Sequence, residues 1–153
     1  MNIRNLREHD VEEWLRMRMA LWPHHDPEEI KAEVRDMLGR LESQPVFVAE
    51  REGGGLCGMV EVSIRPTAEE CRTRDVGYLE GWYVDSDMRR RGVGRRLVEK
   101  AEEWARGRGC LEMASDTTPR YNNSPAAHKA LGYEEVKHRI HFRKDLQSME
   151  GIE

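Results

Sequence analysis

The firmest restriction on the fold comes from a basic, glycine-containing segment between two recognisable elements. Residues 85–97 read Asp-Ser-Asp-Met-Arg-Arg-Arg-Gly-Val-Gly-Arg-Arg-Leu. The segment follows Val76–Val84, whose aromatic and β-branched residues predict a strand. Apolar residues at helical spacing come next and predict an amphipathic helix: Val93, Leu97, Val98, Ala101, Trp104 and Ala105. The chain therefore passes from a strand through a tight turn directly into a helix.

The turn has the chemistry of a phosphate site. Gly92 and Gly94 allow a tight backbone turn that directs several N–H groups toward one point, at the positive end of the helix. Five arginines lie within residues 89–96, and guanidinium groups, amides and the helix dipole all favour a bound phosphate. A Walker loop is excluded because Gly-Lys-Ser/Thr is absent, and Leu97 replaces the third glycine of the dinucleotide fingerprint. A nucleic-acid patch and a solvated helix start remain alternatives.

Hydrophobic periodicity and turn residues predict the other elements. We expect further strands over Ile3–Leu6, Val46–Glu50, Leu56–Ile64, Cys110–Ala114 and Val136–Phe142. We expect helices capped by Asp10 and Asp26, the second with an apolar stripe from Ile30 to Leu41, and a short helix from Ser124 to Leu131. Trp14 and Met17 fall on a helical stripe and are predicted to lie in the core.

Two connections determine how the strands pair. Three consecutive glycines, Gly53–Gly55, predict a hairpin turn because they permit positive φ angles. The helix that follows the basic turn is instead a crossover long enough to bring Cys110–Ala114 parallel to Val76–Val84. The predicted sheet therefore combines an antiparallel meander with one parallel pair.

Composition limits the class of protein. The chain has 153 residues, 38% of them hydrophobic, and without repeats or linkers we expect one domain over residues 1–147 and a frayed tail at 148–153. Apolar runs of about four residues are far too short to span a membrane, and the first residues resemble no signal peptide, which favours the cytoplasm. Three cysteines without metal or redox spacing fit a reducing compartment. The net charge of −4 argues against a surface that binds nucleic acid generally.

The pattern Arg89-x-x-Gly92-x-Gly94, between a strand and a helix, resembles the acetyl-CoA signature of the GCN5-related N-acetyltransferases (GNAT). The predicted element order agrees with that family, and Leu131-Gly132-Tyr133 resembles its Leu-Gly-Phe segment. The resemblance implies an α/β fold of the α+β type, in which helices flank a mostly antiparallel sheet with one parallel strand pair. It also implies acetyl-CoA as the co-substrate.

Four short segments resemble the aminoglycoside 6′-N-acetyltransferases within that family. They are Leu21–His25, Leu79–Gly81, Glu112–Thr117 and His128–Tyr133. The resemblance implies direct transfer of acetyl to the 6′-amine of a cationic aminoglycoside antibiotic in a ternary complex, and it implies a homodimer. Residues outside 89–96 carry a formal charge of −9, which is suited to a cationic substrate.

Two carboxylates are the candidate catalytic groups. Glu80 lies within an apolar strand, where an unpaired carboxylate is costly unless it faces a wet cleft or a cation, so a structural ion pair is the alternative. Asp116 follows the strand Cys110–Ala114, a position from which α/β folds present functional side chains, and a turn residue is the alternative. The resemblance implies that both contact the antibiotic's amino groups and are candidates for the base.

The resemblance also assigns the remaining site residues. Trp22 and His25 would line the aminoglycoside site, with core packing and a solvated histidine as the alternatives. His128 stands where many relatives carry a tyrosine as general acid, although a thiolate can leave without one. The cofactor residues implied are the backbone of Trp82, Tyr83 and Val84, the loop residues Arg89, Arg90, Arg91, Gly92, Val93, Gly94 and Arg95, and one of Asn122, Asn123 and Ser124. No metal is expected, because the histidines and cysteines lack ligand spacing.

Some positions depart from the family pattern. Lys137 stands where some relatives have an acidic substrate contact, and no aromatic residue lies near Ala68. These departures leave open another amine as the acceptor, such as a polyamine or a protein N-terminus. A module that grips nucleic acid with Arg89–Arg96 is the non-enzymatic alternative.

Overall fold

The computed structural model describes residues 1–116, 124–136 and 144. They belong to two compact units, Met1–Pro119 and Arg120–Glu153. Within these residues, no helix has the length and apolar character needed to cross a membrane.

The first unit is built on a five-stranded mixed sheet. Its strands are β1 (Asn2–Asn5), β2 (Val46–Glu50), β3 (Leu56–Arg65), β4 (Val76–Val84) and β5 (Met113–Ser115), and they lie side by side in chain order. The first four strands pair antiparallel with their neighbours, whereas β5 pairs parallel with β4. The predicted mixed sheet with one parallel pair is therefore confirmed.

The fifth strand begins later than the sequence predicts. Cys110 still belongs to the exit of the preceding helix, because its N–H donates to the Ala105 carbonyl at 3.0 Å. Pairing starts when the Gly77 N–H donates to the Glu112 carbonyl, also at 3.0 Å. The prediction of a strand over Cys110–Ala114 is thus wrong at its start, because Cys110 is hydrogen-bonded to the end of the helix.

Three longer helices, α1 (Val11–Leu21), α2 (Pro27–Leu38) and α3 (Val93–Gly107), complete the first unit. Asp26 caps α2 as predicted, with its carboxylate accepting from the Glu28 N–H at 3.0 Å. The helix ends at Leu38 rather than continuing to Leu41, because the chain leaves it at Gly39.

Asp10 precedes α1, but its carboxylate does not cap that helix. It instead accepts from the Arg7 N–H at 2.8 Å and from the Arg4 guanidinium at 2.7 Å. The predicted cap is wrong because a strand cation competes for the side chain.

The helices cover opposite faces of the sheet. Leu97 and Val93 of α3 pack against β3 at Gly58, where an added Cβ would lie 3.0 Å from the Leu97 side chain. The next residue, Met59, joins a buried cluster with Trp14 and Met17 of α1. Because successive strand residues point to opposite faces, α3 lies on one face and α1 on the other.

A buried ionic group joins α1 to β3. Glu61 is 2% exposed and accepts from the Trp14 indole at 2.8 Å and from Arg18 Nε at 2.9 Å. Arg18 also binds Glu33 of α2 at 2.9 Å. Burial raises the pKa of the Glu61 carboxyl, while Arg18 and Trp14 oppose that rise. Trp14 therefore lies in the core, as predicted, and its indole N–H also donates a hydrogen bond there.

A second ionic group anchors the chain where β4 ends. Asp85 accepts from Arg16 of α1 and from Arg51 of the β2–β3 hairpin, each at 2.9 Å, and Arg51 also binds Asp87 at 2.8 Å. Burial by itself would raise the pKa of Asp85, but the hydrogen bonds from the two arginines hold it below the ordinary value. This cluster positions the start of residues 85–97.

The second unit contains α4 (Ser124–Ala130), close to the predicted helix. The chain leaves it through Gly132, with φ +87°, and the Tyr133 N–H donates to the His128 carbonyl at 3.1 Å. The predicted strand Val136–Phe142, after its first residue, and the tail at 148–153 lie outside the described residues. The single domain over residues 1–147 stays a prediction.

Leu97→Ala tests the packing of α3 on the sheet. Leu97 is fully buried, so its truncation should lower the free energy of unfolding by about 2–5 kcal/mol. The same change at Leu111, which is 81% exposed, should cost less than about 0.5 kcal/mol. Urea unfolding monitored by circular dichroism measures both, and equal losses would contradict the assigned packing.

Asp85→Asn tests the second ionic group. It should lower the free energy of unfolding at pH 7 by about 1–3 kcal/mol, because two guanidiniums lose a charged partner. Asp87→Asn is the matched control, since Asp87 also binds Arg51 but is exposed, and it should cost less.

The deficit of Asp85→Asn should depend on pH. Because the folded-state pKa of Asp85 lies below its unfolded value, its stabilisation is complete above about pH 4 and is lost as the pH falls through the folded pKa. Urea unfolding at a series of pH values should therefore show wild type and variant converging in acid. A gap independent of pH would rule out this role.

Candidate functional site

The site is organised by the edge of β4 that β5 leaves uncovered. Within the described residues, β5 pairs with β4 from Gly77 to Leu79, whereas β4 continues to Val84. The last five residues of β4 therefore extend beyond this pairing, and residues 80–84 are called here the open edge. A strand that extends past its neighbour directs alternate backbone groups away from the strand on its other side.

The hydrogen-bond alternation identifies which backbone groups reach the open edge. The Asp85 N–H donates to the Cys57 carbonyl across the β3–β4 pair at 2.7 Å. Because bonded and non-bonded pairs alternate, Tyr83 bonds toward β3, while Trp82 and Val84 direct their backbone groups outward. Arg89 Nε reaches the Val84 carbonyl at 2.9 Å. Of the three predicted cofactor residues on β4, two thus present backbone groups at the edge.

An extra residue in β4 reverses its alternation at the site. Glu61 lies opposite Gly81 and Val62 lies opposite Leu79, so Glu80 has no opposite residue and forms a β-bulge. Glu80 bonds to Ser63, two residues beyond Glu61 on the same face of β3, and a Cβ added at Gly81 would lie 3.1 Å from Glu61 Oε1. Positions 80 and 81 therefore face the same side of the sheet.

The basic turn lies next to the open edge, on the face that α3 covers. Gly92 has φ +82° and precedes the first residue of α3, and Arg90 also has a positive φ, +63°. A Cβ added at Gly94 would lie 3.1 Å from the Trp82 indole, so the absence of a side chain lets the helix start pack closely on β4. Val93 is buried, whereas the arginines are exposed.

This geometry fits an anion. The first N–H groups of an α-helix have no partner within the helix, and at the amino end of this 15-residue helix lie the exposed arginines Arg90, Arg91 and Arg95. The predicted phosphate loop is therefore brought beside the backbone groups of Trp82 and Val84. An extended ligand with a phosphate at one end can contact both features.

The opposite face at the open edge carries the two predicted carboxylates. Glu80 forms a two-nitrogen ion pair with Arg65, with Nε–Oε1 2.8 Å and Nη2–Oε2 2.6 Å. The Arg65 guanidinium lies 3.5 Å from the centre of the Tyr78 ring, and the Tyr78 hydroxyl donates to Asp116 at 3.0 Å. Glu80 and Asp116 are thus linked through Arg65 and Tyr78, and the ion-pair alternative for Glu80 is observed.

The environment of Tyr78 keeps its phenol protonated. Burial, together with the neighbouring charge of Asp116, raises the pKa of Tyr78 to about 12. The phenol therefore donates to Asp116 throughout the physiological range. Asp116 itself is exposed to solvent at the end of β5.

Sequence reasoning missed Arg65 and Tyr78. The sequence carried a signal for them. Ser63 and Arg65 are two residues apart in β3, as Tyr78 and Glu80 are in β4, so each pair lies on one face of its strand. That the two pairs of residues lie next to each other follows only from the strand register, which places Ser63 opposite Tyr78.

Trp22 and His25 lie near Gly81, the residue that follows Glu80. Trp22 follows α1 and is half-buried, and its Cη2 would lie 3.0 Å from a Cβ at Gly81. The His25 ring stacks on the indole with a centroid distance of 6.0 Å, and Arg18 lies 4.7 Å from the indole centre. Both predicted substrate residues are therefore brought to the face that carries Glu80.

Other predicted residues belong to the second unit or lie outside the described residues. His128 belongs to the second unit, where its ring meets Tyr133 edge-on at 5.9 Å. Asn122 and Asn123 lie outside the described residues, and Ser124 is the first residue of α4. In the described part of the chain, no three His, Cys, Asp or Glu side chains are arranged to hold a metal ion.

Comparison with known proteins identifies the family. The model of the GNAT acetyltransferase family matches residues 5–133. The aminoglycoside N(6′)-acetyltransferase type 1 of Klebsiella aerogenes is 44% identical over 146 residues, which cover 94% of this chain and 96% of that protein. The protein of the same name from Serratia marcescens is 36% identical, over 91% of this chain and 96% of the relative.

Solved structures agree with the sequence comparison. The aminoglycoside acetyltransferase AAC(6′)-Iy, in complex with the bisubstrate analogue CoA-S-monomethyl-acetylneamine, is 34% identical with a TM-score of 0.83, covering 94% of this chain and 97% of that one. AAC(6′)-IG from Acinetobacter haemolyticus is 32% identical with a TM-score of 0.85, over 96% and 100% of the two chains. The chain therefore belongs to the GNAT family of acetyltransferases, as the basic turn and the element order predicted.

Proposed function

We propose that the protein is an aminoglycoside 6′-N-acetyltransferase, which transfers the acetyl group of acetyl-CoA directly to the 6′-amine of the antibiotic. The observation that carries the proposal is the open edge of β4, which has an anion-binding turn on one face of the sheet and the carboxylates Glu80 and Asp116 on the other. A phosphate-bearing donor and a cationic acceptor can meet at such an edge. The names of the relatives that cover nearly the whole chain support the same activity.

The donor side uses the residues next to the open edge. Backbone groups of Trp82 and Val84 would hold the pantetheine arm, and the loop from Arg89 to Arg95 would hold the pyrophosphate through its amides and guanidiniums. Acetyl-CoA supplies an activated acyl group. Assignment of Tyr83, Asn122, Asn123 and Ser124 to the same ligand remains a prediction from the family resemblance.

The acceptor side must provide both attraction and a base. An aminoglycoside amine arrives mostly as ammonium, which cannot attack a thioester until it loses a proton. Glu80 already faces a cation, whereas Asp116 faces the neutral phenol of Tyr78 and is open to solvent. We therefore assign proton removal to Asp116, directly or through water, and cation binding to Glu80 with Trp22 and His25.

The open edge would also stabilise the reaction's developing charge. Attack of the amine on the thioester carbonyl places negative charge on its oxygen, and an outward N–H of Trp82 or Val84 can donate to it. Holding both substrates at one strand edge supplies the remaining acceleration through orientation. A general acid such as His128 is optional, since a thiolate leaves readily.

The free cysteines and the family resemblance bear on the location and the assembly of the enzyme. We place the enzyme in the cytoplasm, because all three cysteines are free thiols. A homodimer is proposed from the family resemblance.

A thiol-release assay tests the proposed activity. With acetyl-CoA, aminoglycosides that carry a 6′-amine should release CoA, whereas matched compounds with a 6′-hydroxyl should not. The same assay includes a polyamine and a peptide with a free N-terminus as acceptors. Equal turnover of the 6′-amino and 6′-hydroxy compounds would reject the position of acetylation, and turnover confined to the polyamine or peptide would reject the substrate class.

Asp116→Asn tests the assignment of the base. The variant keeps a hydrogen-bond acceptor for Tyr78 but cannot take a proton, so kcat should fall by about 10²–10⁴-fold. Asp75→Asn, which removes an exposed carboxylate before β4, should leave kcat close to wild type. Steady-state thiol release measures both, and an unchanged rate in Asp116→Asn would transfer the role of base to another group.

A further inference from the structure

Arg65 is already bound to Glu80, the carboxylate to which the cationic acceptor is proposed to bind. Its guanidinium contacts both oxygens of Glu80, through Nη2 at 2.6 Å to each. An ammonium group of an acceptor would compete for the same oxygens. Glu80 therefore cannot pair fully with Arg65 and with an acceptor cation at once.

The position of Arg65 allows it to leave Glu80. Its side chain is 45% exposed, and it is the last residue of β3. The loop that follows is tied at its far end, where Glu112 accepts from the Thr73 N–H at 2.7 Å, and at its base, where the Asp75 N–H donates to the Pro66 carbonyl at 3.0 Å. The backbone is thus held, so the guanidinium can leave Glu80 through changes in its side-chain torsions alone, which would also alter its contact with the Tyr78 ring, 3.5 Å away.

Glu80 does not need Arg65 in order to be tolerated in the fold. The Glu80 side chain is 27% exposed, so water can solvate it, and Ser63 Oγ donates to it at 3.3 Å. Ion pairs at such partly exposed positions contribute little to stability. The Arg65–Glu80 pair differs in this respect from the buried pair of Arg18 and Glu61, which joins α1 to β3.

We infer that Arg65 is an internal competitor of the cationic acceptor, which neutralises Glu80 in the free enzyme and must be displaced when an acceptor ammonium group binds. The inference rests on the proposed function. Only molecules in which Glu80 is free can bind the acceptor fully. The apparent affinity is therefore the intrinsic affinity multiplied by the fraction of molecules in that state. Acceptors with several positive charges displace the arginine best, because the acidic surroundings attract them most strongly.

Arg65→Gln tests the competition, with Arg74→Gln as the matched control. Arg74 is an exposed arginine of the same loop, so the control removes the same charge nearby. In Arg65→Gln, the KM for a 6′-amino aminoglycoside and its Kd measured by calorimetry without acetyl-CoA should fall about fivefold, or about 1 kcal/mol. Arg74→Gln, which lies outside the site, should change KM and Kd less than about twofold. A gain in affinity cannot arise from misfolding.

The Glu80→Gln background shows whether Arg65 acts through Glu80. If it does, adding Arg65→Gln to Glu80→Gln should produce no further fall in KM or Kd, which a double-mutant cycle measures. The inference is overturned if Arg65→Gln weakens binding, if Arg74→Gln gives the same gain, or if the gain persists without the Glu80 carboxylate. Each of these outcomes leaves wild-type turnover intact. A wild-type protein that neither binds nor acetylates any aminoglycoside would instead reject the proposed function, and the inference with it.

Discussion

The β-bulge at Glu80 is the constraint on which the site depends. One extra residue in β4 makes Gly77 bond toward β5 before the bulge and turns Trp82 and Val84 toward the open edge after it. The same residue places positions 80 and 81 on one face of the sheet. A regular strand would alternate without interruption, so the carboxylate of Glu80 and the outward backbone groups would not have their present relation.

Charge is separated across the sheet at this edge. The face covered by α3 presents the arginines of residues 89–96, whereas the face next to α1 presents Glu80 and Asp116. The residues outside the basic segment carry a formal charge of −9, which favours a cation. Arginines nevertheless hold the important acids: Arg18 binds Glu61, and Arg65 binds Glu80. The first pair is buried and ties α1 to β3, while the second lies at the surface, where its partner can be exchanged.

Patterns among neighbouring residues correctly predicted the elements that such residues determine. The strand Val76–Val84, the cap at Asp26 and the stripe of α3, apart from the half-buried Trp104, are confirmed. Alternation, capping and helical spacing depend on neighbouring residues. Asp10 and Cys110 were misassigned because each bonds to a group from another element or from the end of a helix. Glu80 was recognised as unusual, but its partner Arg65 could not be named without the strand register.

The sequence by itself determined the family, the mixed sheet and the two kinds of charge that the site carries, since a glycine-arginine turn between a strand and a helix leaves few alternatives. Only the tertiary structure decided how these parts meet. The bulge, the early end of β5 and the pairing of Ser63 with Tyr78 are properties of strand register. Register depends on long-range pairing, so no local pattern shows that Arg65 lies on Glu80 or that Trp82 packs against Gly94.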